Sequence, residues 1–239
     1  MKLTVFFLLF FTQAHAFEIP PDFQATYELE KYGSVAATTT LRLRHQDNRI
    51  IYTSSSEAQG LVALFSSDHV TESSTLQLTE NSITPLLYEY NYTRKKKEKN
   101  NQHIKITWND NGTGKIISQY RKNSIEFTTS QPVWDKLSVQ LALMNDIKSA
   151  EKNKTLSYTV IDKNSKIDFL FEYLGDEKII INDKTYNTKK LKRTHSSGKR
   201  ITTMWLATEL SYIPVAIEQL KDNKSNWKMK LKIIKLDEN

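Results

Sequence analysis

Residues 23–53, FQATYELEKYGSVAATTTLRLRHQDNRIIYT, decide the fold, because apolar and polar side chains alternate along them. Phe23, Ala25, Tyr27 and Leu29 occupy every second position, and polar residues stand between them. The alternation returns at residues 39–44 after the turn-forming residues 32–34, and residues 46–48 precede a third apolar run at 50–53. A repeat of two residues is that of a half-buried strand, so this stretch predicts consecutive antiparallel strands.

Similar strand patterns continue along the chain, and short turn-forming segments separate them. They cover residues 86–92, 104–108, 155–161, 167–174, 178–181, 185–194, 200–207, 213–220 and 227–236. Gly175-Asp176 is interpreted as one of the turns. The run RKKKEKNNQ, residues 94–102, is interpreted as a long solvated hairpin tip, because like charges repel one another. Short connections favour neighbouring antiparallel strands, so the second half is predicted to be a meander.

Residues 134–150, WDKLSVQLALMNDIKSA, break this rhythm and predict one helix. Leu137, Leu141 and Met144 recur at helical spacing, and Asp135 is placed to cap the first turn. The broad apolar face predicts packing against a sheet. The sequence therefore predicts an all-β fold, mainly an antiparallel meander in a large curved sheet or open barrel, with one packed amphipathic helix at about 134–150.

The first sixteen residues, MKLTVFFLLFFTQAHA, have the pattern of a cleaved secretory signal peptide. One cation at Lys2 precedes an apolar run from Leu3 to Phe11, and small residues flank His15. The apolar run is shorter than the roughly 20 residues that cross a bilayer as a helix. We therefore expect residues 1–16 to be removed and residues 17–239 to form a single mainly β domain in the periplasm, with no membrane span. The chain has no cysteine, so it must be stable without disulfides.

The formal net charge is +7, and the basic residues are spread along the chain rather than massed in one block. This balance raises attraction to anionic surfaces such as lipid head groups. A solvated cationic surface is a simpler interpretation than a dedicated anion site. Nucleic acid is not an expected partner, because the aromatic residues alternate at core spacing and the signal peptide takes the protein out of the cytoplasm.

The sequence offers no set of catalytic, cofactor-binding or metal-binding residues. His45, His69, His103 and His195 are isolated, and structural zinc sites of the usual kind need cysteine. The serine clusters have no nucleophile-elbow pattern around them. We therefore expect no cofactor and favour a protein that is not an enzyme. Paired carboxylates can converge in space from distant positions, so an envelope hydrolase stays as an alternative.

Several short motifs follow one another in a recognisable order. They are Phe23-x-Ala25-x-Tyr27, Ala58-x-Gly60, Pro85-x-x-Tyr88-x-Tyr90, Trp134-Asp135-x-Leu137-Ser138, Trp205-Leu206-Ala207 and Tyr212-Ile213-Pro214-Val215. Their order and spacing resemble the bacterial domain of unknown function family 3108 over nearly the whole mature chain, although the Lys-rich run from Arg94 departs from the pattern. The resemblance implies a mostly β protein in the periplasm of Gram-negative bacteria, and it brings no established activity, cofactor or catalytic residues.

The late Trp-Leu and Pro-Val motifs are also similar to those of periplasmic lipoprotein carriers, whose open barrel holds acyl chains against a helical lid. This is a likeness of fold, and fold does not give function.

Eight motif residues are interpreted as structural rather than as a site: Trp134, Asp135, Leu137, Ser138, Trp205, Leu206, Pro214 and Val215. Trp205 and Leu206 point to opposite faces of one strand, which is predicted to be covered on both sides. Trp205→Ala is therefore expected to cost about 3–5 kcal/mol. Pro214 has no backbone donor and fits the start of the next strand.

Two classes of function agree with these features. The first is a noncatalytic protein of cell-envelope maintenance that binds a lipid, an acyl chain or a hydrophobic protein segment, with the helix as a lid. The second is the hydrolase with converging carboxylates. A scaffold that contacts other envelope proteins is a further alternative, and it would show an exposed apolar patch without a cavity.

Overall fold

The computed structural model describes residues 18–60, 63, 68–80, 82–95 and 97–237. The predicted signal peptide, residues 1–16, lies outside these ranges. The first eight strands are β1 (Phe23–Lys31), β2 (Ser34–Gln46), β3 (Arg49–Ala58), β4 (Asp68–Thr79), β5 (Ser82–Arg94), β6 (Lys97–Trp108), β7 (Gly114–Tyr120) and β8 (Asn123–Thr129). Helix α1 (Val139–Asp146) and a 3-10 turn (Ile147–Ser149) follow. The remaining strands are β9 (Thr155–Asp162), β10 (Ser165–Ile181), β11 (Lys184–Thr194), β12 (Arg200–Ala207), β13 (Pro214–Lys221) and β14 (Lys224–Leu236), with a 3-10 turn (Thr208–Leu210) after β12.

All fourteen strands belong to one antiparallel sheet in the order β8-β7-β6-β5-β4-β3-β2-β1-β14-β13-β12-β11-β10-β9. The predicted all-β open barrel with one helix is therefore confirmed. β1 lies at the centre because it pairs with β2 on one side and with β14 on the other. Four two-residue turns have a positive φ at both positions, at 32–33, 163–164, 182–183 and 222–223. Gly, Asn and Asp accept this conformation readily, and such turns match the twist of the strands that they join.

The sheet curls round, but β8 and β9 do not pair as neighbours within it. Side chains span this seam instead. Asn164 Nδ2 donates to the Asn123 carbonyl at 3.0 Å, and Ser118 Oγ donates to Asn164 Oδ1 at 2.8 Å. Trp134 covers the free edge of β9 through a parallel bridge to Val160. The barrel is therefore open in its backbone ladder and held together by side chains and by one short segment.

Helix α1 lies in the core, and both of its flanks are apolar. Val139, Leu141, Ala142, Leu143 and Met144 are all buried. The exposed polar face that an amphipathic helix would need is not present among the described residues of α1. The three polar residues of α1, Gln140, Asn145 and Asp146, are only partly exposed. Because no side of the helix faces solvent fully, α1 packs into the barrel rather than covering it as a lid. Each fully buried Val, Leu or Met side chain contributes about 1.5–3 kcal/mol to folding.

Polar groups of the helix find partners inside the barrel. Tyr52 OH donates to Gln140 Oε1 at 3.2 Å, and Tyr158 OH donates to Asp146 Oδ2 at 2.8 Å. The helix is also shorter than predicted, because it starts at Val139 instead of residue 134. Residues 134–138 form the bridge to β9 and a preceding turn.

The predicted hairpin tip at 94–102 is wrong. β5 continues to Arg94 and β6 begins at Lys97, so only a tight turn around Lys95 separates them. Tyr90 pairs with Gln102 and Tyr92 with Asn100. Backbone pairing of β5 and β6 continues despite the repulsion between the lysines. Exposed lysine head groups can remain in water while the backbone forms its hydrogen bonds.

The predicted turn at Gly175-Asp176 is also wrong, because both residues lie inside the long strand β10. The register between β10 and β11 shifts between Tyr173 and Gly175, which is a β-bulge. Gly175 has a φ of +112°, and a Cβ there would lie 3.1 Å from Lys152 Cε. Glycine at a bulge and glycine at a turn give the same signal in a sequence, and only the partner strand distinguishes them.

Candidate ligand-binding site

A cleft of about 690 Å³ lies where β4 ends, β5 begins and β6 ends. Its apolar lining consists of Ile83, Pro85, Leu86, Ile106, Trp108 and Pro132. Its polar lining consists of Gln77, Ser82, Thr84, Thr107, Gly112 and Ser130, the glycine contributing its backbone. None of these residues carries a formal charge.

Proline in the middle of a strand creates one wall of the cleft. Pro85 lies on β5, which pairs with β4 on one side and with β6 on the other. Because proline has no N–H, it cannot donate the backbone hydrogen bond that a regular strand would make at this position. The register accordingly shifts here: Leu76 pairs with Pro85, Thr75 pairs with Leu87, and Leu86 is the extra residue. This β-bulge adds an apolar side chain at the place where the cleft lies.

Trp108 lines the cleft beside Pro85, and two contacts fix its ring. Its indole Nε1 donates to the Pro85 carbonyl at 3.2 Å. Gly114, its partner on β7, leaves room for the ring, because a Cβ at position 114 would lie 2.9 Å from Trp108 Cζ3. The bulge and the glycine together hold a large aromatic side chain at the cleft with its polar atom already bonded.

The size and lining of the cleft suit an apolar ligand. Ligand sites typically enclose about 300–1,000 Å³ and combine apolar walls with a few polar groups. Uncharged hydroxyl and amide groups stand beside the apolar wall and can bond one polar end of a ligand. The sequence named Pro85 and Trp108 only as motif and strand residues, so the cleft itself was missed. The one signal that could have found it was a proline inside a strand pattern.

The motif around Trp134 is structural and does not line this cleft. The buried Asp135 carboxylate receives four hydrogen bonds: Oδ1 from the Leu137 and Ser138 amides and from Ser74 Oγ, and Oδ2 from Ser138 Oγ. Ser138 Oγ in turn accepts from the Asp135 amide at 3.2 Å. These reciprocal bonds form a capping arrangement at the turn before α1. Because Ser74 lies on β4 and Trp134 pairs with β9, Asp135 ties two distant strands to one segment.

Electrostatics at Asp135 reflect its position in the core. Burial raises the pKa of Asp135 above its ordinary value, and the bonds from Ser138, Ser74 and Leu137 only partly offset this rise. Desolvation favours the neutral acid, whereas the four donors favour the carboxylate. Leu137 is buried as well, which leaves Asp135 without contact to bulk water.

The late motif brings together strands β12 and β13. Leu206 and Val215 are fully buried, and Pro214 is the first residue of β13, as its missing N–H requires. The buried Tyr27 OH donates to the Pro214 carbonyl at 2.9 Å. This bond joins the centre of the sheet to the β12–β13 connection.

The expectation that Trp205 is a core residue is wrong. Its side chain is only partly buried, its Nε1 donates to Glu177 Oε2 at 2.9 Å, and Lys190 Nζ lies 5.3 Å from the ring centroid. Hydrogen bonds from Trp205 and Lys190 lower the pKa of Glu177. Trp205 thus covers the outer face of β12, while its neighbours Met204 and Leu206 face the core.

A second groove, of about 500 Å³, crosses β3 to β7 and contains the carboxylates that a hydrolase would need to bring together. Glu72, Glu89 and Glu98 line it. Glu72 pairs with Tyr90 and Glu89 pairs with Ser73, so the side chains of Glu72 and Glu89 point to opposite faces of the sheet. Glu98 Oε1 accepts a hydrogen bond from Asn101 Nδ2 at 3.1 Å. Tyr88 OH donates to Glu72 Oε2 at 2.6 Å, and Tyr88 is a core residue. The Glu72 carboxylate is therefore bonded towards the interior, whereas Glu89 is exposed.

Within the described ranges, no group of three or more His, Asp or Glu is arranged to hold a metal ion. The described helices also include none that is long and apolar enough to cross a membrane.

One solved structure shows a similar architecture, and a second is a weaker match. A β-barrel-like protein of the domain of unknown function family DUF1849 from Brucella abortus matches with a TM-score of 0.59 and 8% identity, covering 93% of this chain and 100% of that one. A protein with a YmcC-like fold from Bacteroides fragilis NCTC 9343 matches with a TM-score of 0.37 and 10% identity, covering 92% of this chain and 100% of that one. The likeness to the Brucella protein is one of fold.

Comparison with curated proteins finds no match. The model of the protein family of unknown function DUF3108 matches residues 22–232, which extend from the residue before β1 into β14. The resemblance drawn from the sequence motifs is therefore confirmed, and the chain belongs to the DUF3108 family.

Proposed function

We propose that the protein is a noncatalytic binding protein of the cell envelope, and that the cleft lined by Pro85, Leu86 and Trp108 holds an apolar ligand. In this proposal residues 1–16 export the chain, and residues 17–239 act as one unit in the periplasm. The main observation that supports this proposal is the uncharged, largely apolar cleft of about 690 Å³. A space of this size with such walls suits an acyl chain or the apolar side chains of a protein segment.

The position of α1 defines how such a ligand would be held. Because α1 occupies the barrel interior, the ligand would lie at the end of the sheet, between the bulge in β5 and residues 130–132. Binding needs no opening of a helical lid. The hydroxyl groups of Ser82, Thr84 and Ser130 would receive the polar end of the ligand.

Quenching of Trp108 by a brominated fatty acid tests the proposal. A brominated acyl chain quenches a nearby indole, and Trp108 is the cleft's tryptophan, so wild-type fluorescence should fall saturably as the acid is added. Trp108→Phe should remove most of the quenching. Leu86→Lys should weaken binding, because it places a cation in an uncharged cleft.

Leu170→Lys is the matched control, since Leu170 is 50% exposed on β10 and lies outside the cleft. Its binding should equal that of the wild type. Displacement of the acid by an apolar peptide would identify a protein segment as a competing occupant of the same cleft. Quenching that persists unchanged in both Trp108→Phe and Leu86→Lys would refute the assignment of the cleft.

A further inference from the structure

The turns at one end of the barrel form a ring of cations. Successive strands are antiparallel, so every connection from an odd-numbered to an even-numbered strand lies at the same end. Six of these connections contain or adjoin an exposed lysine, and the described part of the β3–β4 connection does not: the lysines are Lys31, Lys95, Lys122, Lys163, Lys199 and Lys224. We call these six residues the cationic rim. They are distant in sequence, and the meander gathers them.

The charges of the cationic rim are not neutralised by neighbours. None of the six lysines forms an ion pair with a described carboxylate. The described acidic residues that lie in or adjoin the turns at this end are Asp68, Asp162 and Asp222. Asp68 pairs with Arg94 at 2.8 Å, and Asp162 lies 3.7 Å from Lys136. Lysines on the outer faces of the strands behave differently: Lys190 pairs with Glu177 at 2.9 Å and Lys230 with Glu30 at 3.0 Å. Salt bridges thus occupy lysines of the barrel wall and leave the rim charged.

The opposite end of the barrel carries acidic residues in its turns. The even-to-odd connections contain Asp47, Glu80, Asp110, Glu151, Asp183 and Glu209, each of them exposed. Cations also occur at this end, among them Lys148, Lys152 and Lys154 in the β8–β9 connection. The two ends of the barrel therefore differ in charge: cations dominate at the cationic rim, whereas both signs are mixed at the opposite end. A molecule with one strongly cationic end has a preferred orientation at an anionic surface.

Tyr32 stands at the tip of the β1–β2 turn within the cationic rim. It is 90% exposed, the highest value among the large apolar side chains that the structure describes, and Lys31 Nζ lies 5.3 Å from its ring centroid. Tyrosine has an apolar ring with a polar tip, which suits the head-group layer of a membrane. A soluble polyanion would give this ring no comparable environment.

We propose that the cationic rim docks the protein on an anionic lipid bilayer, with lysines on the head-group phosphates and Tyr32 in the interfacial layer. The site is distinct from the ligand cleft, which lies at the opposite end with the β4–β5 and β6–β7 turns. A docked molecule would hold the cleft away from the bilayer. The two proposals rest on different residues and can fail separately.

Vesicle cosedimentation tests the docking. The protein should bind vesicles that contain phosphatidylglycerol, should not bind vesicles of phosphatidylcholine alone, and should dissociate as salt is added. Each lysine near an anionic surface contributes roughly fivefold to binding, so the triple variant Lys95→Glu, Lys122→Glu, Lys199→Glu should bind at least about 100-fold more weakly. Tyr32→Ser should weaken the part of binding that resists salt.

The matched control reverses three cations at the opposite end: Arg49→Glu, Lys154→Glu and Lys184→Glu. It changes the net charge equally and should keep most of the binding. Thermal unfolding of each variant checks folding, and the triple Lys→Gln variant at the same rim positions provides a milder second test. Equal losses in rim and control variants, equal binding to both kinds of vesicle, or binding of soluble polyphosphate without binding of vesicles would each overturn the proposal.

Discussion

Truncating Asp135 to alanine should destabilise the protein by about 3–5 kcal/mol, the cost of breaking a buried charged network. The change leaves the Leu137 and Ser138 amides without their acceptor, and it also removes the acceptor of Ser74 Oγ. Each buried polar group left unsatisfied costs about 1–3 kcal/mol, so two amides alone account for most of this value. Urea denaturation gives the free energy of unfolding directly.

Asp135→Asn is the matched control. Its Oδ1 keeps the three bonds that Oδ1 of aspartate accepts. Only the bond from Ser138 Oγ to Oδ2 is lost, because an amide nitrogen donates and cannot accept the hydroxyl proton. We expect it to cost about 1 kcal/mol or less at neutral pH. An alanine variant within 1 kcal/mol of the wild type would refute the view that Asp135 ties β4 and β9 to the segment before α1.

The raised pKa of Asp135 predicts how the free energies of unfolding of the wild type and of Asp135→Asn differ with pH. A folded-state pKa above the unfolded value of about 3.9 means that the folded protein binds more protons between the two values. Asp135 therefore lowers stability progressively as the pH rises from about 4 through its folded-state pKa, and its effect is constant above that point. The asparagine variant lacks this loss, so its stability relative to the wild type should increase over the same interval.

Three further predictions concern single contacts, and thermal or urea unfolding measures each. Trp205→Ala should cost only about 1–2 kcal/mol because the side chain is partly exposed, whereas Leu206→Ala beside it should cost about 2–5 kcal/mol; equal losses would contradict the assignment of their faces. Gly175→Ala should cost about 1–3 kcal/mol because an alanine at a φ of +112° is strained, and an unchanged stability would argue against the bulge. Tyr27→Phe should cost about 1–2 kcal/mol because the buried Pro214 carbonyl loses its donor, and a neutral result would mean that water replaces the hydroxyl.

The strands and hairpins could be read from the sequence because their information is local. The alternation at Phe23, Ala25 and Tyr27 marks a buried face, and these three side chains are indeed fully buried. Turn residues such as Asp222-Asn223 adopt the positive φ that their short side chains tolerate. Such features depend on neighbours in sequence, so the fold class followed from the chain alone.

Features that depend on the partner strand could not be read in the same way. Gly175 looks like a turn residue until the register of β11 shows a bulge. Trp205 looks like a core residue until Glu177 and Lys190 are found beside it on the outer face. The cleft and the cationic rim likewise arise from residues that are distant in sequence, and only the topology of the sheet brings them together.

Native mass spectrometry of the protein purified from the envelope of cells that export it tests the central claim most directly. We expect the wild type to carry a small apolar molecule or a hydrophobic peptide as an additional mass, and we expect Leu86→Lys to lose that mass while Leu170→Lys retains it. A folded wild-type protein that shows only its bare mass, or an additional mass that Leu86→Lys retains, would contradict the assignment of the cleft as a binding site.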